Sequence, residues 1–331
     1  MILTVTLNAA IDRTMAVPNF RLGQRHRAIE SRLVAGGKGV NVARALMILG
    51  KPVVATGLAG GAAGDRILQQ LAEEGILHDF TRIEGESRTN LSVVDPTTGE
   101  QSEINERGPE VSPDDVERFA ERLAYLAQGA SLCVLAGSIP PGAEPDVYAR
   151  LITRLRAAGV VTVLDTDGDP MRAGLKAEPT VVAPNASEAE EAVGHEFEEP
   201  ADLAMGIAGL IEMGAREAII TTEYGCTAVV GDGGERRGYE ASIEPLEPVA
   251  AVGSGDAFLA GYVAARYDGA SPRECIAFGV ACGAESTQHF GAGTLSPREV
   301  ERLLPKIQMT ELDSAPQATP KAMHSRGEAP S

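Results

Sequence analysis

The feature that most constrains this chain is a glycine-rich turn directly before a helix-compatible segment. It spans residues 252–261, and within it Gly253 and Gly255 flank Ser254. Glycines let successive main-chain N–H groups turn toward one point. At the start of a helix, these N–H groups and the positive end of the helix dipole form an anion site. The stretch therefore predicts a loop and helix that hold an anion such as a phosphate.

A carboxylate follows this turn at once. Asp256 would lie beside the predicted anion site, where its charge repels a resting anion. A carboxylate in such a place needs a function, and removal of a proton from an attacking hydroxyl group as a general base is one. The alternative is a glycine-rich turn in which Asp256 is only a first-turn cap.

A second glycine cluster lies far upstream, at residues 36–44. It includes Gly37 and Lys38 and opens a second predicted helix. Lys38 can meet a phosphate oxygen as a point charge. One turn further, Asn41 offers both a donor and an acceptor for a sugar hydroxyl group. The alternative is an ordinary helix start, although such a start rarely needs this many glycines.

Together the two clusters resemble the PfkB, or ribokinase-like, family of carbohydrate kinases. The early cluster reads G-G-K-G-x-N-V-A-R and the late one G-S-G-D-A-F-x-A-G. Residues 6–12 are similar to the 1-phosphofructokinase and tagatose-6-phosphate kinase branch of this family. The resemblance extends over residues 1–307. It implies ATP-dependent phosphoryl transfer to a sugar.

The predicted fold is α/β, with a doubly wound, mostly parallel sheet flanked by helices and a small β-sheet lid. Apolar strands such as residues 2–7 and 52–57 alternate with helices, which is typical of a parallel sheet. The resemblance implies that residues 12–35 and 87–106 supply the lid strands. We expect one kinase domain over residues 1–311 and a disordered tail over residues 312–331, which has no apolar period.

Two residues are predicted to hold the sugar phosphate because of their chemistry and position. Asp12 comes just past the end of the first strand, where open α/β sheets place ligand groups, and can accept hydrogen bonds from a sugar hydroxyl. Arg88 can hold a phosphate in bidentate fashion. The alternatives are a solvated turn aspartate and a surface strand arginine. The resemblance adds Gly37, Arg27 and Ser138 to the substrate site, although Arg27 can also belong to a solvated charge cluster.

The nucleotide side rests on the resemblance. Residues 184–188 resemble the family motif P-N-x-x-E, in which Asn185 and Glu188 position Mg²⁺ and ATP, with Glu188 acting through coordinated water. The alternative is an asparagine-capped helix with a paired glutamate. The family also implies nucleotide contacts after a later strand and in a loop that borders adenine and any monovalent-cation site. These contacts fall on Thr221, Glu223, Gly225 and His289.

Three departures from the family pattern concern this side of the site. Ala183 stands where relatives commonly have a lysine before P-N-x-x-E, so one charged contact to the triphosphate is missing. Glu223 replaces a glycine in a segment that is one residue short. Ala250 stands where many relatives have a polar residue, which weakens the case for a potassium-type site. Further upstream, three carboxylates in residues 165–169 are read as a polar loop rather than a metal site.

Charge and cysteine usage exclude some classes of function. The net charge of −18 argues against a nucleic-acid or anionic-membrane surface. The four cysteines show no C-x-x-C spacing, which favours reduced thiols in a cytoplasmic protein. No apolar run is long enough to span a bilayer, and residues 1–7 read as a strand rather than a signal peptide.

These features predict a kinase that phosphorylates a primary hydroxyl of a ketohexose phosphate, with 1-phosphofructokinase as the leading assignment. Asp256 would be the base, and the main-chain amides of residues 253–255 would hold the transferring phosphoryl group. The alternatives are a 6-phosphofructokinase or tagatose-6-phosphate kinase, then a kinase for nucleosides or unphosphorylated sugars, and last a non-catalytic sugar-phosphate sensor. The resemblance also implies a homodimer formed through the lid strands.

Overall fold

The computed structural model describes residues 1–232, 235–250 and 252–312. The strands β1–β14 span, in order, Ile2–Thr6, Ala10–Ala16, Glu30–Gly36, Val53–Gly60, Leu77–Ile83, Arg88–Val94, Gln101–Ile104, Leu132–Ala136, Val161–Asp165, Val181–Val182, Glu217–Thr222, Gly225–Asp232, Glu235–Ser242 and Gln308–Leu312. The helices α1–α10 span Lys38–Ile48, Gly61–Glu73, Pro113–Ala127, Val147–Ala157, Gly168–Leu175, Ala186–Val193, Pro200–Glu212, Ser254–Tyr267, Pro272–Ser286 and Pro297–Leu303. Leu312 ends the last strand, and the rest of the predicted tail lies outside the described residues.

The large sheet has the order β14-β13-β12-β11-β10-β9-β8-β1-β4-β5. Its pairs from β11 to β5 are parallel, and β12, β13 and β14 extend it as antiparallel strands. Crossover helices connect the parallel strands, because parallel neighbours cannot be joined by a tight turn. The predicted doubly wound, mostly parallel sheet is therefore confirmed.

Helices cover both faces of this sheet. Side chains of α1, α2, α8, α9 and α10 pack on one face, and those of α3 to α7 pack on the other. The buried strand β1 shows how the two cores are divided. Ile2 belongs to the first core and Leu3 to the second, because successive strand side chains point to opposite faces. The chain thus folds into three layers.

Local sequence explains where several helices begin. Helix α3 starts with a capping box, in which the Ser112 hydroxyl accepts from the Asp115 amide and the Asp115 carboxylate accepts from the Ser112 amide. Pro113 occupies the first helical position, as predicted. Helix α9 repeats this arrangement with Ser271 and Glu274. Such caps satisfy main-chain donors that the helix itself leaves open.

The small sheet is separate and has the order β3-β2-β6-β7. Strand β2 runs antiparallel to β3 and parallel to β6, while β7 pairs antiparallel with β6. The predicted strand pieces at 14–35 and the hairpin at 87–105 lie in this sheet. It starts directly after β1, so the chain passes from the carboxyl end of a central strand into the lid.

Several elements were not predicted from the sequence. Strands β5, β13 and β14 lie at the sheet edges or on the antiparallel extension, and their burial patterns are irregular. The carboxylates at residues 165–169 were interpreted as a polar loop at a strand end rather than a metal site. Asp165 does end β9, and Asp169 lies in the first turn of α5 rather than in a loop.

The predictions about membrane spans and cysteines can be compared with the described residues. None of the helices among residues 1–232, 235–250 and 252–312 combines the length and apolar character needed to cross a bilayer. All four cysteines are buried and free, as predicted. Burial raises the pKa of the Cys133 thiol and that of the Cys282 thiol, so these side chains behave as small apolar groups.

Candidate active site

The candidate site lies at the carboxyl ends of the parallel strands. Residues that follow or end these strands converge there, namely Asn8 after β1, Ser138 after β8, Asp165 at the end of β9 and Asn185 after β10. Helices α1 and α8 pack on one another beside these strand ends. Ligands of open α/β sheets bind at this edge because the loops converge there. The topology therefore brings together residues that are far apart in sequence.

Asp256 lies in the first turn of α8 and is only 6% exposed. Its carboxylate accepts a hydrogen bond of 2.8 Å from Asn41 Nδ2 on α1. Burial raises the pKa of Asp256 to about 7, with Asp165 and Asp12 also raising it and Lys38 and Asn41 opposing them. A carboxyl group with this pKa is half ionised near neutral pH and can take up a proton there.

The main-chain amides before Asp256 are open. Gly253 is the N-cap of α8 with a φ of 84°, a conformation that favours glycine, and no side chain caps this helix. Among the described residues, no acceptor is hydrogen-bonded to the amides of residues 253–255. Asp256 itself accepts from Asn41 rather than from these amides. The turn thus presents free donors and a helix N-terminus beside a buried carboxyl group, as an anion site requires.

Lys38 lies between two carboxylates. Its ammonium donates to Asp165 Oδ1 at 2.8 Å and to Glu188 Oε1 at 3.0 Å. Burial opposes the charge on Lys38, but Asp165 and Glu188 outweigh it and raise the pKa of the ammonium above its ordinary value. The sequence predicted a phosphate contact for Lys38 and missed Asp165. The structure places the ammonium within electrostatic reach of Asp256 as well.

Asn185 and Glu188 form a capping box at the start of α6. The Asn185 side chain accepts from the Glu188 amide at 2.9 Å, and Glu188 Oε2 accepts from the Asn185 amide at 2.9 Å. The geometry thus contains the asparagine-capped helix that the sequence offered as an alternative. The other oxygen of Glu188 points to Lys38 at the centre of the site.

The donor set fits a magnesium ion that arrives with a nucleotide. No cluster of three or more His, Cys, Asp or Glu residues suited to a metal ion is present in the described part of the chain. Glu188 nevertheless offers carboxylate oxygen beside the cavity that Asn185 lines. Mg²⁺ prefers oxygen ligands, keeps several waters and is often held by one or two carboxylates and substrate phosphates. A magnesium site of this kind therefore does not require that all metal ligands come from the protein.

Asp12 lies on β2, partly buried, and faces the same region. Its carboxylate accepts from Asn90 Nδ2 at 2.9 Å and from the Gly37 amide. Burial raises the pKa of Asp12, although these two donors and the charges of Arg88 and Arg44 oppose the shift. A Cβ atom at Gly36 would lie 1.9 Å from Asp12 Oδ2, so this glycine makes room for the carboxylate. Asn90 was not singled out from the sequence, although it is the asparagine of the S-R-x-N segment that contains Arg88.

Arg88 is the first residue of β6 and is partly buried. Its guanidinium donates to the carbonyls of Asn8 at 3.1 Å and Glu106 at 3.0 Å. Asn8 in turn donates to Ser138 Oγ at 3.3 Å, and the Asn8 Oδ1 atom is buried without a partner among the described groups. Arg88 and Ser138 thus lie on either side of Asn8, which the sequence did not single out.

Arg27 and His289 lie at the edges of this arrangement. Arg27 is exposed in the segment between β2 and β3 and forms no ion pair within the described residues. His289 follows α9, and its Nε2 lies 2.7 Å from Glu285 Oε1. Neither residue lines the cavity that adjoins Ser254 and Gly255. Their predicted ligand contacts therefore stay predictions.

A cavity of about 480 Å³ adjoins the turn before α8. It is lined by Ser254 and Gly255 and by apolar side chains such as Leu246 and Phe258. The predicted nucleotide residues Asn185, Thr221, Glu223 and Gly225 also line it. Its size and its mixture of apolar walls and polar groups suit a small molecule such as a nucleotide.

The turn between β11 and β12 is tight. Thr222 pairs with Gly225, which leaves Glu223 and Tyr224 as a two-residue turn at the cavity wall. The Tyr224 hydroxyl donates to Glu223 Oε1 at 2.6 Å. The segment that the sequence indicated to be one residue short of the family pattern includes this hairpin turn. The Glu223 carboxylate thus lies at the wall of the cavity.

Comparison with known proteins relates this geometry to a family. The family model described as pfkB family carbohydrate kinase matches residues 3–299. The chain is 30% identical over 312 residues to the 1-phosphofructokinase of Borreliella burgdorferi, and the alignment covers 94% of this chain and 99% of that protein. The predicted family resemblance is therefore confirmed.

Solved structures with the same fold include two phosphofructokinases. A possible 1-phosphofructokinase from Thermotoga maritima matches with a TM-score of 0.85 and 26% identity, over 95% of this chain and all of that one (100%). The tetrameric inhibited form of phosphofructokinase-2 from Escherichia coli matches with a TM-score of 0.84 and 25% identity, over 92% of this chain and 98% of that one. The ribokinase-like α/β fold predicted from the sequence is confirmed by these likenesses.

Proposed function

The chain belongs to the pfkB family of carbohydrate kinases, and on this premise we propose that it transfers the γ-phosphoryl group of ATP to a primary hydroxyl of a ketohexose phosphate, with fructose 1-phosphate as the leading acceptor. The observation that carries this proposal is the buried Asp256 carboxyl group beside the open amides of residues 253–255. Phosphoryl transfer needs a base for the attacking hydroxyl and fixed donors for the moving charge, and this turn offers both.

In the proposed reaction, Asp256 accepts the proton of the acceptor hydroxyl. The hydroxyl oxygen forms a bond to the γ-phosphorus while the bond from that phosphorus to the β-γ bridging oxygen breaks, and ADP leaves. The amides of Gly253, Ser254 and Gly255 hold the phosphoryl oxygens during this transfer. Because α8 begins at these amides, its dipole also favours negative charge there.

Magnesium fits the nucleotide side of this arrangement. When bound with ATP, Mg²⁺ neutralises charge on the β- and γ-phosphate oxygens. Asn185 and Glu188 would hold it through coordinated water, since Glu188 already uses its oxygens for the helix cap and Lys38. A monovalent cation near the loop at residues 289–293 stays a prediction.

The opposite side of the site is proposed to hold the sugar phosphate. Asp12 and Asn41 would orient sugar hydroxyls, since Asn41 is hydrogen-bonded to Asp256 and the Asp12 carboxylate lies near enough to affect its charge. Arg88, Lys38 and Ser138 would receive the phosphate already on the substrate, with Gly37 contributing its main chain. Arg27 would reach the phosphate only if its exposed segment folds toward the site.

The choice of fructose 1-phosphate rests on the names of relatives. The Borreliella burgdorferi protein is named a 1-phosphofructokinase, whereas the Escherichia coli structure is of a phosphofructokinase-2. A coupled ADP-release assay with fructose 1-phosphate, fructose 6-phosphate and tagatose 6-phosphate tests the choice. The proposal predicts the highest kcat/KM with fructose 1-phosphate, and a higher value with either other substrate would contradict it.

Replacement of Arg88 by alanine is expected to separate phosphosugar kinases from plain sugar kinases. The guanidinium is the residue best suited to a phosphate on the substrate, and a charged hydrogen bond is worth about 1.5–3 kcal/mol. We expect KM for the phosphosugar to rise about 10–100-fold, with little change of KM for ATP. The measurement is steady-state kinetics with the phosphosugar and its unphosphorylated parent sugar.

Arg82 provides the control for this variant, because it is an exposed arginine on the neighbouring β5 that pairs with Asp65. Its replacement by alanine should leave both KM values unchanged. Equal effects of Arg88→Ala on the phosphosugar and on the parent sugar would favour a kinase for unphosphorylated sugars or nucleosides.

A non-catalytic sugar-phosphate sensor is the second candidate. Two observations favour it, namely Ala183 in place of a lysine before the nucleotide motif and the Glu223 carboxylate at the cavity wall. A ligand that binds the folded state raises its melting temperature. Stabilisation by fructose 1-phosphate but none by ATP with Mg²⁺ would favour the sensor over the kinase.

Assembly through the small sheet is also proposed. The outer strand β7 is exposed along its whole length, which leaves an unpaired edge of the lid. One relative, phosphofructokinase-2 of Escherichia coli, is described as tetrameric. A homodimer through the lid strands stays a prediction, and sedimentation of the purified chain would measure it.

A further inference from the structure

Arg44 is a buried arginine with no direct part in the proposed reaction. It lies on α1, is 6% exposed and uses its guanidinium in several hydrogen bonds. The Nη2 atom donates to the carbonyl of Ala35 at 2.7 Å and to Glu74 at 3.1 Å, and Nε donates to Glu74 at 2.6 Å. Glu74 thus neutralises the charge of the Arg44 guanidinium, and the Nη1 atom makes no bond to Glu74.

The Nη1 atom of Arg44 faces the side chain that contacts Asp256. It donates to Asn41 Oδ1 at 3.2 Å, and Asn41 Nδ2 donates to Asp256 Oδ2 at 2.8 Å. An amide keeps nearly the same shape when it turns over and exchanges its oxygen and nitrogen. A guanidinium has only donors, so the Asn41 oxygen must face Arg44 and its NH₂ group must face Asp256.

The same Nη1 atom also reaches the loop beneath the anion site. It donates to the carbonyl of Ala292 at 3.2 Å. Ala292 packs so closely on the turn before α8 that a Cβ atom at Gly253 would lie 2.5 Å from the Ala292 Cβ atom. The Nη1 atom of Arg44 therefore contacts both Asn41, which donates to Asp256, and Ala292, which packs against Gly253.

We propose that Arg44 is a positioning residue that orients the Asn41 amide and thereby keeps Asp256 in the ionised form needed for proton abstraction. Hydrogen bonds donated to a carboxylate favour its ionised form, whereas an amide oxygen turned toward it favours the protonated form. The orientation that Arg44 imposes on the Asn41 amide therefore decides whether Asn41 stabilises the ionised or the protonated form of Asp256. The catalytic consequence rests on the proposed function, but the effect on Asp256 does not.

Other groups around Asp256 set the background for this effect. Lys38 approaches it from α1, Asp165 from the end of β9 and Asp12 from β2. With burial as the largest cause, these groups place the pKa of Asp256 at about 7. A group with such a pKa responds to one changed hydrogen bond by a large change in its ionised fraction near neutral pH. Release of the Asn41 amide would raise the pKa of Asp256 and leave less of the base.

The test is the titration of the Asp256 carboxyl carbon by ¹³C NMR in the substrate-free protein, assigned by comparison with Asp256→Asn. We expect the titration midpoint of Arg44→Met to rise by about one unit, since loss of a hydrogen bond worth about 1.4 kcal/mol corresponds to that shift. Arg44→Lys keeps a positive charge but loses the fork of donors, and the midpoint should rise in this variant too. An unchanged midpoint in both variants would overturn the proposal.

Arg266→Met is the matched control. Arg266 is a partly buried arginine at the far end of α8 that pairs with Glu217 as Arg44 pairs with Glu74. Loss of either ion pair should lower the melting temperature, but only the Arg44 variants should move the Asp256 midpoint. A midpoint that moves equally in Arg266→Met would show that general loosening of the fold causes the shift, and would contradict a positioning role.

The Asn41→Ala background tests whether Arg44 acts through the amide. With the Asn41 side chain removed, adding Arg44→Met should change the midpoint by less than about 0.3 units, because coupled residues are not additive. A full further shift in this background would show that Arg44 acts on Asp256 by another route and would overturn the proposal.

Failure of the proposed function is distinguishable from failure of this inference. If Asp256 is the base, the acid limb of the pH profile of kcat/KM should move with the NMR midpoint in Arg44→Met. A shifted midpoint with an unmoved acid limb would retain the role of Arg44 and reject Asp256 as the base. An unmoved midpoint would reject the role of Arg44 whichever sugar is the substrate.

Discussion

Replacement of Asp256 by asparagine is expected to lower kcat by about 10²–10⁴-fold while the protein keeps its fold. Asparagine has the same shape and can still accept the hydrogen bond of 2.8 Å from Asn41. It cannot take up the proton of the acceptor hydroxyl, so only the step that needs a base is lost. Steady-state kinetics in the ADP-release assay measures the change. A kcat near the wild-type value would rule out Asp256 as the general base.

The same variant is expected to be more stable than the wild type at alkaline pH. Burial raises the pKa of Asp256 from its ordinary value of 3.8 to about 7 in the folded protein. A raised pKa means that this group contributes its full stability below the unfolded pKa and loses it as the pH rises through the folded pKa. Ionised Asp256 therefore opposes folding at pH 8, and Asp256→Asn should raise the free energy of unfolding there by roughly 2–4 kcal/mol.

Urea denaturation at pH 4 and pH 8 tests this pH dependence. The gain from Asp256→Asn should be large at pH 8 and nearly absent at pH 4, where the wild-type carboxyl group is protonated in the folded protein. Asp268→Asn is the control, since Asp268 is an exposed aspartate at the other end of the same helix. A gain of equal size at both pH values would contradict the proposed cost of burying the charge.

Replacement of Lys38 by methionine is expected to have the second large effect, on both stability and turnover. The ammonium is the cation that pairs with the buried Asp165 and with Glu188. Breaking a fully buried ion pair from one side costs about 3–5 kcal/mol, and partial exposure of Lys38 places the loss at roughly 2–3 kcal/mol. Since Lys38 also opposes the raised pKa of Asp256, its loss should reduce the ionised base near neutral pH.

Denaturation and kinetics of three variants separate these two effects. In Lys38→Met, kcat/KM at pH 7 should fall by about 100-fold or more, because both a proposed cationic contact to the substrate phosphate and part of the ionised Asp256 are lost. Adding Asp165→Asn removes the unpaired carboxylate and should restore most of the stability but not the activity. Lys51→Met removes a surface partner of Asp268 and should change neither by much. If Lys38→Met is as stable as the wild type, the three charges do not form the network described above.

The sequence predicted those parts of the site that depend on neighbouring residues. The turn at residues 253–255, the first-turn position of Asp256 and the start of α1 at Lys38 follow from glycines next to a helix-compatible run. The capping box of Asn185 and Glu188 was also readable, as the alternative to a magnesium motif. Each is a short-range pattern in which spacing along the chain limits the geometry.

Other parts of the site were not predicted because their signal is spread over the chain. Asp165 was predicted at the end of a strand but not as a site residue, and it pairs with Lys38. Asn8 and Asn90 stood inside or beside family-like segments but were not singled out, and their importance comes from their bonds to Ser138 and Asp12. Arg44 stood inside a predicted motif, but the motif did not show that its guanidinium faces Asn41.

The sequence by itself thus determined the mostly parallel α/β architecture and the glycine-rich turn before α8, because apolar periods and glycine spacing act over a few residues, and the resemblance of its two glycine motifs indicated the family. The tertiary structure alone decided which charges meet. Lys38 and Asp165 are 127 residues apart and Asn41 and Asp256 are 215 residues apart, yet both pairs lie within 2.8 Å. Their contact depends on the order of strands in the sheet and on the packing of α1 against α8. That packing buries Asp256 and raises its pKa to about 7, a property that no local spacing encodes.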